Sequence, residues 1–305
     1  MSLSFEHLVS IEQLSRGDAD TILKEAEKME GVLKKGGDDR LHGKILANLF
    51  YEPSTRTHLS FATAMNRLGG RVISTESVQF SSLYKGESIE DTIRVVSEYA
   101  DIICMRHSEE GSAALGASVS SVPFINAGDG PGQHPTQALL DLKTIQKERG
   151  HIDGIHVAIV GDLKNGRTVH SLSLLLSLYE NIQLTLISPV ALCMPGHIRS
   201  ILTKKKVTFN ERESLQDGLD ADVLYMTRIQ KERFTDEEEY HRLKGTYVLS
   251  ARDLKTKDIT IMHPLPRVGE IALDVDILPN AAYFRQVGNG VTVRMALLAM
   301  MIGKA

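Results

Sequence analysis

The nine residues FYEPSTRTH, which begin at Phe50, combine the groups that bind phosphate-like dianions. They stand where an apolar run meets a helical pattern, so Ser54 is predicted to be a helix N-cap residue. The N–H groups of a first helical turn have no partner within the helix, and the helix dipole favours negative charge there. Thr55, Arg56 and Thr57 add hydroxyl groups and a permanently charged set of donors. The turn predicts an anion site, with an ordinary Ser-Thr-rich cap as the alternative.

Other cationic and polar side chains follow later predicted strands. Ligands of open α/β sheets bind outside the carboxyl ends of the strands. The residues that the sequence places there are Arg106, His134, Gln137, Arg167, Arg228, His263 and the turn Pro264–Pro266. One arginine can simply end a strand against solvent. Together with Arg56, three more arginines at strand ends in a chain of net charge −4 predict a focused cationic pocket for a polyanion.

Residues 161–168, GDLKNGRT, have the outline of a nucleotide-binding P-loop, but Arg167 stands where that loop has lysine. The lysine acts as a compact point charge, and arginine replaces it poorly. The strand that should end in a magnesium-binding aspartate leads instead to Thr227 and Arg228. GxGxxG is also missing, so a dinucleotide fold is unsupported. Arg167 at a helix start fits bidentate pairing with a carboxylate better.

Strand-like and helix-like patterns alternate along the 305 residues, which predicts an α/β fold of two doubly wound domains with mostly parallel sheets. A second α/β unit begins near His156. The apolar segment 291–302 predicts a C-terminal helix that returns to the first domain for burial. Strands are predicted at 44–51, 71–75, 101–105, 122–126, 156–160, 183–187, 222–226 and 259–262, and helices at 18–33, 88–100, 291–302 and after Ser54 and His134.

Composition narrows the class of protein. Hydrophobic residues make up 42% and charged residues 24%, as in an ordinary globular protein, and no basic tract suits a nucleic-acid partner. Cys104 and Cys193 lack metal-type spacing, and Cys104 fits a core thiol. The opening residues do not form a secretory leader, and the most apolar segment is too short to span a bilayer. The prediction is a cytoplasmic protein without a membrane partner.

Eight short motifs share one property, their order in a known family: Phe50–Thr57, Lys85–Glu87, Met105–His107, Gly128–Gly130, Gln133–Gln137, Gly161–Leu163, Met226–Glu232 and His263–Arg267. From about residue 5 to 303 the chain resembles the catalytic chain of the aspartate carbamoyltransferase family. The first motif is common to carbamoyltransferases in general. The late turn separates the members, because ornithine carbamoyltransferases carry His-Cys-Leu-Pro there, so Pro264 favours aspartate as the acceptor.

The resemblance implies carbamoyl transfer from carbamoyl phosphate to the amine of L-aspartate, the committed step of pyrimidine biosynthesis. It divides the chain into a carbamoyl phosphate-binding domain, 1–134 plus 288–305, and an aspartate-binding domain, 135–287. It implies no cofactor and no metal. It also implies a homotrimer with shared active sites, and it leaves open whether regulatory or dihydroorotase subunits join the trimer.

The resemblance also assigns residues to each step. The donor phosphate is held by Ser54, Thr55, Arg56 and Thr57. The carbonyl oxygen is polarised by Thr57, Arg106 and His134. The carbamoyl NH2 is bound by Gln137 and by the backbone carbonyls of Leu265 and Pro266. The two carboxylates of aspartate are bound by Arg167, Arg228 and Gln230. A neighbouring subunit supplies Lys85 and one serine of Ser81 and Ser82.

The sequence departs from the family pattern at His58 and Ala62, where the family usually has Arg and Glu. These positions are four residues apart on one helix, where the two charges would pair. Both are lost together, which leaves no orphaned charge. We therefore interpret the change as an ion pair replaced as a unit.

Two other functions remain open from the sequence. The first is a carbamoyltransferase that uses another amino acid, such as ornithine. The second is a catalytically silent relative kept as a binding or scaffolding subunit. A comparison of aspartate, ornithine and N-acetylated ornithine as acceptors decides among them.

Overall fold

The computed structural model describes residues 3–75, 86–231, 234, 236–254 and 257–303. The chain divides into two compact units, of which unit 1 comprises 1–140 and 288–305 and unit 2 comprises 141–287. The C-terminal segment thus belongs to the first unit, as the apolar pattern of the last helix predicted. The boundary at residue 134 and the substrate assigned to each domain stay predictions.

Unit 1 is built on a parallel sheet. In chain order its elements are α1 Arg16–Lys34, β1 Ile45–Phe50, α2 Thr55–Arg67, β2 Arg71–Thr75, α3 Ile89–Ser97, β3 Ile102–His107, α4 Ser112–Val119, β4 Phe124–Asp129 and the start of α5 Pro135–Arg149. The strand order is β2-β1-β3-β4, and neighbouring strands are parallel.

Unit 2 repeats the plan with a five-stranded sheet. Its elements are β5 His156–Val160, α6 Arg167–Leu176, β6 Gln183–Ile187, α7 Gly196–Lys204, β7 Thr208–Arg212, β8 Val223–Met226, α8 Glu237–Leu243, β9 Thr260–Met262 and the start of α9 Tyr283–Met301. The strand order is β7-β6-β5-β8-β9, again parallel throughout. Two parallel α/β units confirm the predicted fold class.

Burial explains the strand sequences. The inner strands β3, β5 and β8 read as nearly continuous apolar runs and are buried on both faces, as parallel strands covered by helices must be. The edge strands β2 and β7 are mostly exposed and more polar. The core of unit 1 gathers around Ala47, Ile103 and Phe124, and that of unit 2 around Val160 and Ile261.

The beginning, the buried face and the end of helix α1 follow from its local sequence. The Ser15 hydroxyl accepts the N–H of Asp18 at 3.1 Å, and the Asp18 carboxylate accepts the N–H of Ser15 at 3.0 Å, which is a capping box. The helix buries Ile22 and Ala26, four residues apart on one face. It stops before Gly36, whose φ of 95° lies in the left-handed region that glycine adopts freely.

Each sheet has one point where the strand order reverses. In unit 1 the chain proceeds outward from β1 to β2 and then returns to β3 and β4 on the other side. In unit 2 it proceeds from β5 through β6 to β7 and returns to β8 and β9. Loops diverge at such switch points, so the crevices beyond β1/β3 and beyond β5/β8 are the expected ligand sites of an α/β sheet.

The bounds predicted for most inner strands agree with the structure within two residues, and those predicted for β2, β5 and β6 are the observed ones. The strand predicted at 122–126 ended too early, because β4 continues to Asp129 with the Asn126 amide oxygen accepting the N–H of Gly128 at 2.7 Å. The last helix was predicted to begin eight residues too late, and α4 and β7 were not predicted. Over the described residues, no helix combines the length and the apolar character needed to cross a bilayer.

Candidate active site

The start of α2 lies beyond the carboxyl end of β1, at the switch point of unit 1. Ser54 is the N-cap residue, as predicted, but within the described chain its hydroxyl makes no capping hydrogen bond. Thr55 and Arg56 are exposed, whereas Thr57 is 6% exposed. The first turn therefore offers backbone N–H groups, three hydroxyls and a guanidinium to an anion.

Arg106 is fixed at the same switch point by an ion pair. The β1–β3 register places it opposite Phe50, and the residue is 8% exposed. Its Nη2 donates to Glu52 Oε1 at 2.9 Å and its Nη1 to the carbonyl of Ala127 at 3.4 Å. Glu52 lies between β1 and α2, so the pair holds the guanidinium against the segment that leads into the first turn of α2.

Asp129, at the end of β4, organises the loop that leads to α5. Its Oδ1 accepts the N–H of Gln133 at 2.8 Å and the amide of Asn126 at 3.1 Å. Its Oδ2 accepts the N–H of Gly111 at 3.1 Å. One buried carboxylate thus fixes the path of the chain immediately before His134.

His134 immediately precedes α5 and Gln137 lies in its first turn, so this segment opens the helix as predicted. The carbonyl of His134 accepts the N–H groups of Gln137 at 3.0 Å and Ala138 at 3.2 Å, which makes His134 the residue that precedes the helix. His134 is 4% and Gln137 9% exposed. Pro135 takes the first helical position, where its missing N–H costs nothing.

A buried arginine that sequence reasoning missed joins these two helices. Arg294 of α9 is 3% exposed and donates to the hydroxyl of Ser60 in α2 at 3.0 Å and to that of Thr136 in α5 at 3.3 Å. Its guanidinium carbon also lies 5.1 Å from the centre of the Phe61 ring. A side chain at Gly290 would place its Cβ 2.7 Å from Arg294 Nη1, so the glycine makes room for the guanidinium.

In unit 2 the loop after β5 packs closely on the residue that follows β8. Gly161 has a φ of 125°, and a Cβ there would lie 2.3 Å from the carbonyl oxygen of Thr227. Thr227 in turn donates its N–H to the carbonyl of Val160 at 2.8 Å. Only glycine permits this approach, which brings the start of the Arg167 loop against the residue that precedes Arg228.

Arg167 is the first residue of α6 and is half-buried. The loop before it is shaped by Asp162, whose Oδ1 accepts the N–H of Asn165 at 2.9 Å. The Nε2 of His170 lies 2.7 Å from the carbonyl of Leu163, and burial lowers the pKa of that imidazole, so the ring is neutral and donates this bond. The supposed P-loop is thus a carboxylate-braced turn.

Arg228 lines a pocket of about 240 Å³ within unit 2. Its walls are formed by Thr227, Arg228, Ile229, Tyr240, Lys244, Gly245, Tyr247, Val268, Gly269 and Glu270. Arg228 and Lys244 bring two cationic groups to one cavity, which suits an anionic ligand. The half-buried Gln230 and Arg167 are not among the residues that line it.

The turn that follows β9 carries the other predicted site residues of unit 2. His263 is 2% exposed, Pro264 and Leu265 are half-buried, and Pro266 is exposed after a cis peptide bond. Arg267 then donates from Nη2 to Asp276 Oδ2 at 2.6 Å and stacks 5.4 Å from the Tyr283 ring centre. The turn is therefore anchored at both ends.

The predicted residues Ser81, Ser82 and Lys85 lie outside the described residues. Sequence reasoning also overlooked Glu52, Asp129, Glu270 and Arg294. Glu52 had a signal, a carboxylate in the turn after an apolar strand. Arg294 had one as well, a lone charge in an otherwise apolar helix, which a buried helix tolerates only when the charge has partners.

Two family matches cover most of the chain. Residues 6–147 match the family described as aspartate/ornithine carbamoyltransferase, carbamoyl-P binding domain. Residues 153–301 match aspartate/ornithine carbamoyltransferase, Asp/Orn binding domain.

Similar curated proteins span nearly the full length. The aspartate carbamoyltransferase catalytic subunit of Methanocaldococcus jannaschii is 55% identical over 299 residues, covering 97% of this chain and 98% of that protein. The subunit of the same name from Methanopyrus kandleri is 50% identical over 306 residues, with 99% of each chain covered.

Solved structures agree with these relatives. The catalytic subunit of M. jannaschii aspartate transcarbamoylase superimposes with a TM-score of 0.92 at 54% identity, covering 98% of each chain. The Trypanosoma cruzi aspartate transcarbamoylase in complex with carbamoyl phosphate and aspartate gives a TM-score of 0.91 at 40% identity, covering 96% of each chain. With both sheets, both switch points and both family matches in agreement, the chain belongs to the aspartate/ornithine carbamoyltransferase family.

Proposed function

We propose that this protein transfers the carbamoyl group of carbamoyl phosphate to the amine of L-aspartate, giving N-carbamoyl-L-aspartate and phosphate for pyrimidine biosynthesis. The observation that carries the proposal is the placement of arginines at both switch points, with Arg106 at the carboxyl end of β3 and Arg167 and Arg228 beyond β5 and β8. The names of the most similar relatives support the same acceptor.

We assign the donor to the residues that the family resemblance implies. Ser54, Thr55, Arg56 and Thr57 hold its phosphate at the positive end of α2. Arg106, His134 and Thr57 donate hydrogen bonds to the carbonyl oxygen. All three are nearly buried, and water competes poorly for donors in such surroundings. The carbamoyl NH2 donates hydrogen bonds to Gln137 and to the backbone carbonyls of Leu265 and Pro266.

The acceptor binds through its two carboxylates. Arg167 and Arg228 suit bidentate pairing with a carboxylate, and Gln230 adds an amide. Lys85 and one of Ser81 and Ser82 come from a neighbouring subunit of a homotrimer. If so, mixing K85A chains with R106A chains restores activity in part, whereas no rescue in such mixed trimers contradicts a shared site.

The reaction needs positioning more than chemical activation, because carbamoyl phosphate is already reactive. The amine nitrogen of aspartate attacks the carbamoyl carbon, and the carbon–oxygen bond to phosphate then breaks. The departing phosphate takes a proton from the new nitrogen centre. Orientation of the two substrates accounts for up to about 7–11 kcal/mol, and each well-aimed donor to the oxyanion for about 2.7–4 kcal/mol.

This mechanism assigns His134 the part of a hydrogen-bond donor and requires no separate general base. A substrate with two carboxylates fits the cations near the unit 2 switch point. Ornithine carries a second amine instead, which those cations would repel. We further propose that the protein works in the cytoplasm, in keeping with its two cysteines, which are both free thiols.

The test is a product assay with carbamoyl phosphate and three acceptors. We expect carbamoyl transfer to aspartate, at a kcat/KM about 100-fold or more above that for ornithine or N-acetylornithine. R228A should lose most activity toward aspartate, while R252A, which removes an exposed arginine of the same unit, should not. Preferred transfer to ornithine, or no transfer to any acceptor, would contradict the proposal.

A further inference from the structure

The turn after β9 depends on one unusual backbone conformation. Leu265 has a φ of 57°, in the left-handed region that residues with a Cβ rarely adopt. Its N–H donates to the Nδ1 of His263 at 2.7 Å. A side chain two residues earlier thus holds the backbone of Leu265 in place.

That hydrogen bond determines which nitrogen of the His263 ring carries the proton. A backbone N–H can donate only to an unprotonated Nδ1, so the neutral ring carries its proton on Nε2. Nε2 donates to Glu270 Oε1 at 2.6 Å, and the other oxygen of Glu270 accepts the N–H of Val268 at 2.9 Å. The side chains of His263 and Glu270 are 1% and 10% exposed, so solvent competes little for these bonds.

The backbone of His263 is held separately, by a buried polar chain. Its N–H donates to Gln286 Oε1 at 3.0 Å, and Gln286 Nε2 donates to Asp141 Oδ1 at 2.6 Å. The hydroxyl of Tyr225 donates to the other oxygen of Asp141 at 2.7 Å. With the backbone of His263 fixed, the bond from Nε2 to Glu270 constrains the direction of its ring.

We propose that Glu270 is a positioning residue that acts through His263 to hold Leu265 in the conformation that binds the carbamoyl NH2. The inference rests on the proposed function, which gives the carbonyls of Leu265 and Pro266 that contact. Glu270 also lines the pocket that contains Arg228, so this relay runs from a wall of the acceptor pocket to the donor-binding turn.

The experiment compares substitutions that keep different halves of the His263 ring. H263N places an amide oxygen where Nδ1 stood and keeps an acceptor for the N–H of Leu265. H263Q places its amide where Nε2 stood and removes that acceptor. E270A leaves the ring intact and removes its orienting partner. Each variant is titrated by calorimetry with phosphonoacetamide, which carries both an amide NH2 and a phosphonate, and with inorganic phosphate.

For H263Q and E270A we expect roughly tenfold weaker binding of phosphonoacetamide, which is the loss of about one hydrogen bond, with phosphate affinity unchanged. For H263N, which keeps the acceptor but loses the bond to Glu270, we expect a loss of phosphonoacetamide affinity no larger than that of E270A, with phosphate affinity within about threefold of the wild type. Phosphonoacetamide affinity unchanged in H263Q or in E270A would overturn the proposal. An equal loss for both probes in H263Q and E270A, with a lowered Tm, would also overturn it, because a merely structural contact behaves in that way.

The wild-type assay separates this inference from the proposed function. Carbamoyl transfer to aspartate by the wild type, with H263Q indistinguishable from it in KM for carbamoyl phosphate, overturns the relay alone. A wild type without carbamoyl transfer overturns the proposed function itself.

Discussion

The two switch points, which we propose to bind anions, present their polar and cationic groups in different ways. In unit 1 the groups come from one contiguous turn, Ser54 to Thr57, and the neighbouring Arg106 is held by an ion pair with Glu52. In unit 2 the candidate groups come from separate loops, and the close approach of Gly161 to Thr227 packs the loop after β5 against the residue that follows β8. The first site depends on local chemistry and the second on packing between distant segments.

The largest expected effect comes from breaking the unit 1 site at its ion pair. R106A removes a donor to the developing oxyanion and should lower kcat by about 10²–10³. The change also leaves Glu52 without this partner. The measurement is kcat for carbamoyl transfer under saturating substrates.

R94A is the matched control for this change, because Arg94 forms only an exposed pair with Asp91, with side chains 59% and 64% exposed. Its kcat should equal that of the wild type. A kcat of R106A equal to that of the wild type would show that Arg106 does not act in the site.

The second prediction breaks the unit 2 site through its packing. G161A forces a Cβ within 2.3 Å of the Thr227 carbonyl oxygen at a φ of 125°, so the β5 and β8 loops must separate. We expect the free energy of unfolding to fall by about 3 kcal/mol or more. We also expect KM for aspartate to rise about tenfold or more, because both arginines shift. Urea unfolding and steady-state kinetics measure the two effects.

G154A provides the comparison, because Gly154 also has a positive φ, 77°, but its Cβ would meet nothing within 4 Å. G154A should lower the free energy of unfolding by about 1–2 kcal/mol, the penalty of a left-handed backbone, without changing KM for aspartate. If G161A and G154A behave alike, close approach is not what assembles the unit 2 site.

The third prediction sharpens the view that unit 1 is locally specified. His58 packs edge-on against Phe50, with ring centres 5.1 Å apart, and Ala62 is half-buried one turn later. A62E alone should lower the free energy of unfolding by about 1–3 kcal/mol, because it adds a half-buried charge without a partner. It should also weaken phosphate binding. H58R with A62E should recover most of the loss, as measured by phosphate titration and urea unfolding. Equal losses in the single and the double variant would end the idea of an exchangeable pair.

The smallest effect is a pH dependence in the turn of unit 2. Burial alone would raise the pKa of Glu270, but hydrogen bonds from His263 and the N–H of Val268 lower it below its ordinary value of 4.5. A carboxylate with a lowered native pKa stabilises the fold above its unfolded-state pKa, and this contribution is lost as the pH falls through the native pKa. E270Q should therefore be less stable than the wild type by about 1–2 kcal/mol near pH 7, with the difference shrinking below pH about 4.5.

Urea unfolding at several pH values measures this difference. E238Q, at an exposed position in α8, should show none at any pH. A constant difference between E270Q and the wild type from pH 7 to pH 4 would contradict the assignment.

The same contrast explains what the sequence could reveal. The FYEPSTRTH turn is contiguous, and its strand, cap and helix each have local signals, so its position was predictable. The inner strands were also readable, because burial on both faces makes them apolar runs. The edge strand β7 was missed because exposure on the sheet edge leaves it polar.

The distant partners of buried polar residues could not be predicted from the sequence. Nothing near Arg294 in sequence indicates that it donates to Ser60 and Thr136, more than 150 positions away. Glu270 likewise follows a glycine in a predicted loop, where a carboxylate is ordinarily expected at the surface. Their contacts exist only after the fold brings distant loops together.

The central claim is that fixed cations at the two switch points bind the donor and the acceptor. The most direct test is a crystal structure of this protein with N-(phosphonacetyl)-L-aspartic acid, the compound bound in a T. cruzi relative. We predict the phosphonate at the first turn of α2, within hydrogen-bond distance of Arg56 and Arg106, and the carboxylates paired with Arg167 and Arg228. A ligand bound without contact to Arg56 and Arg228 would contradict the account.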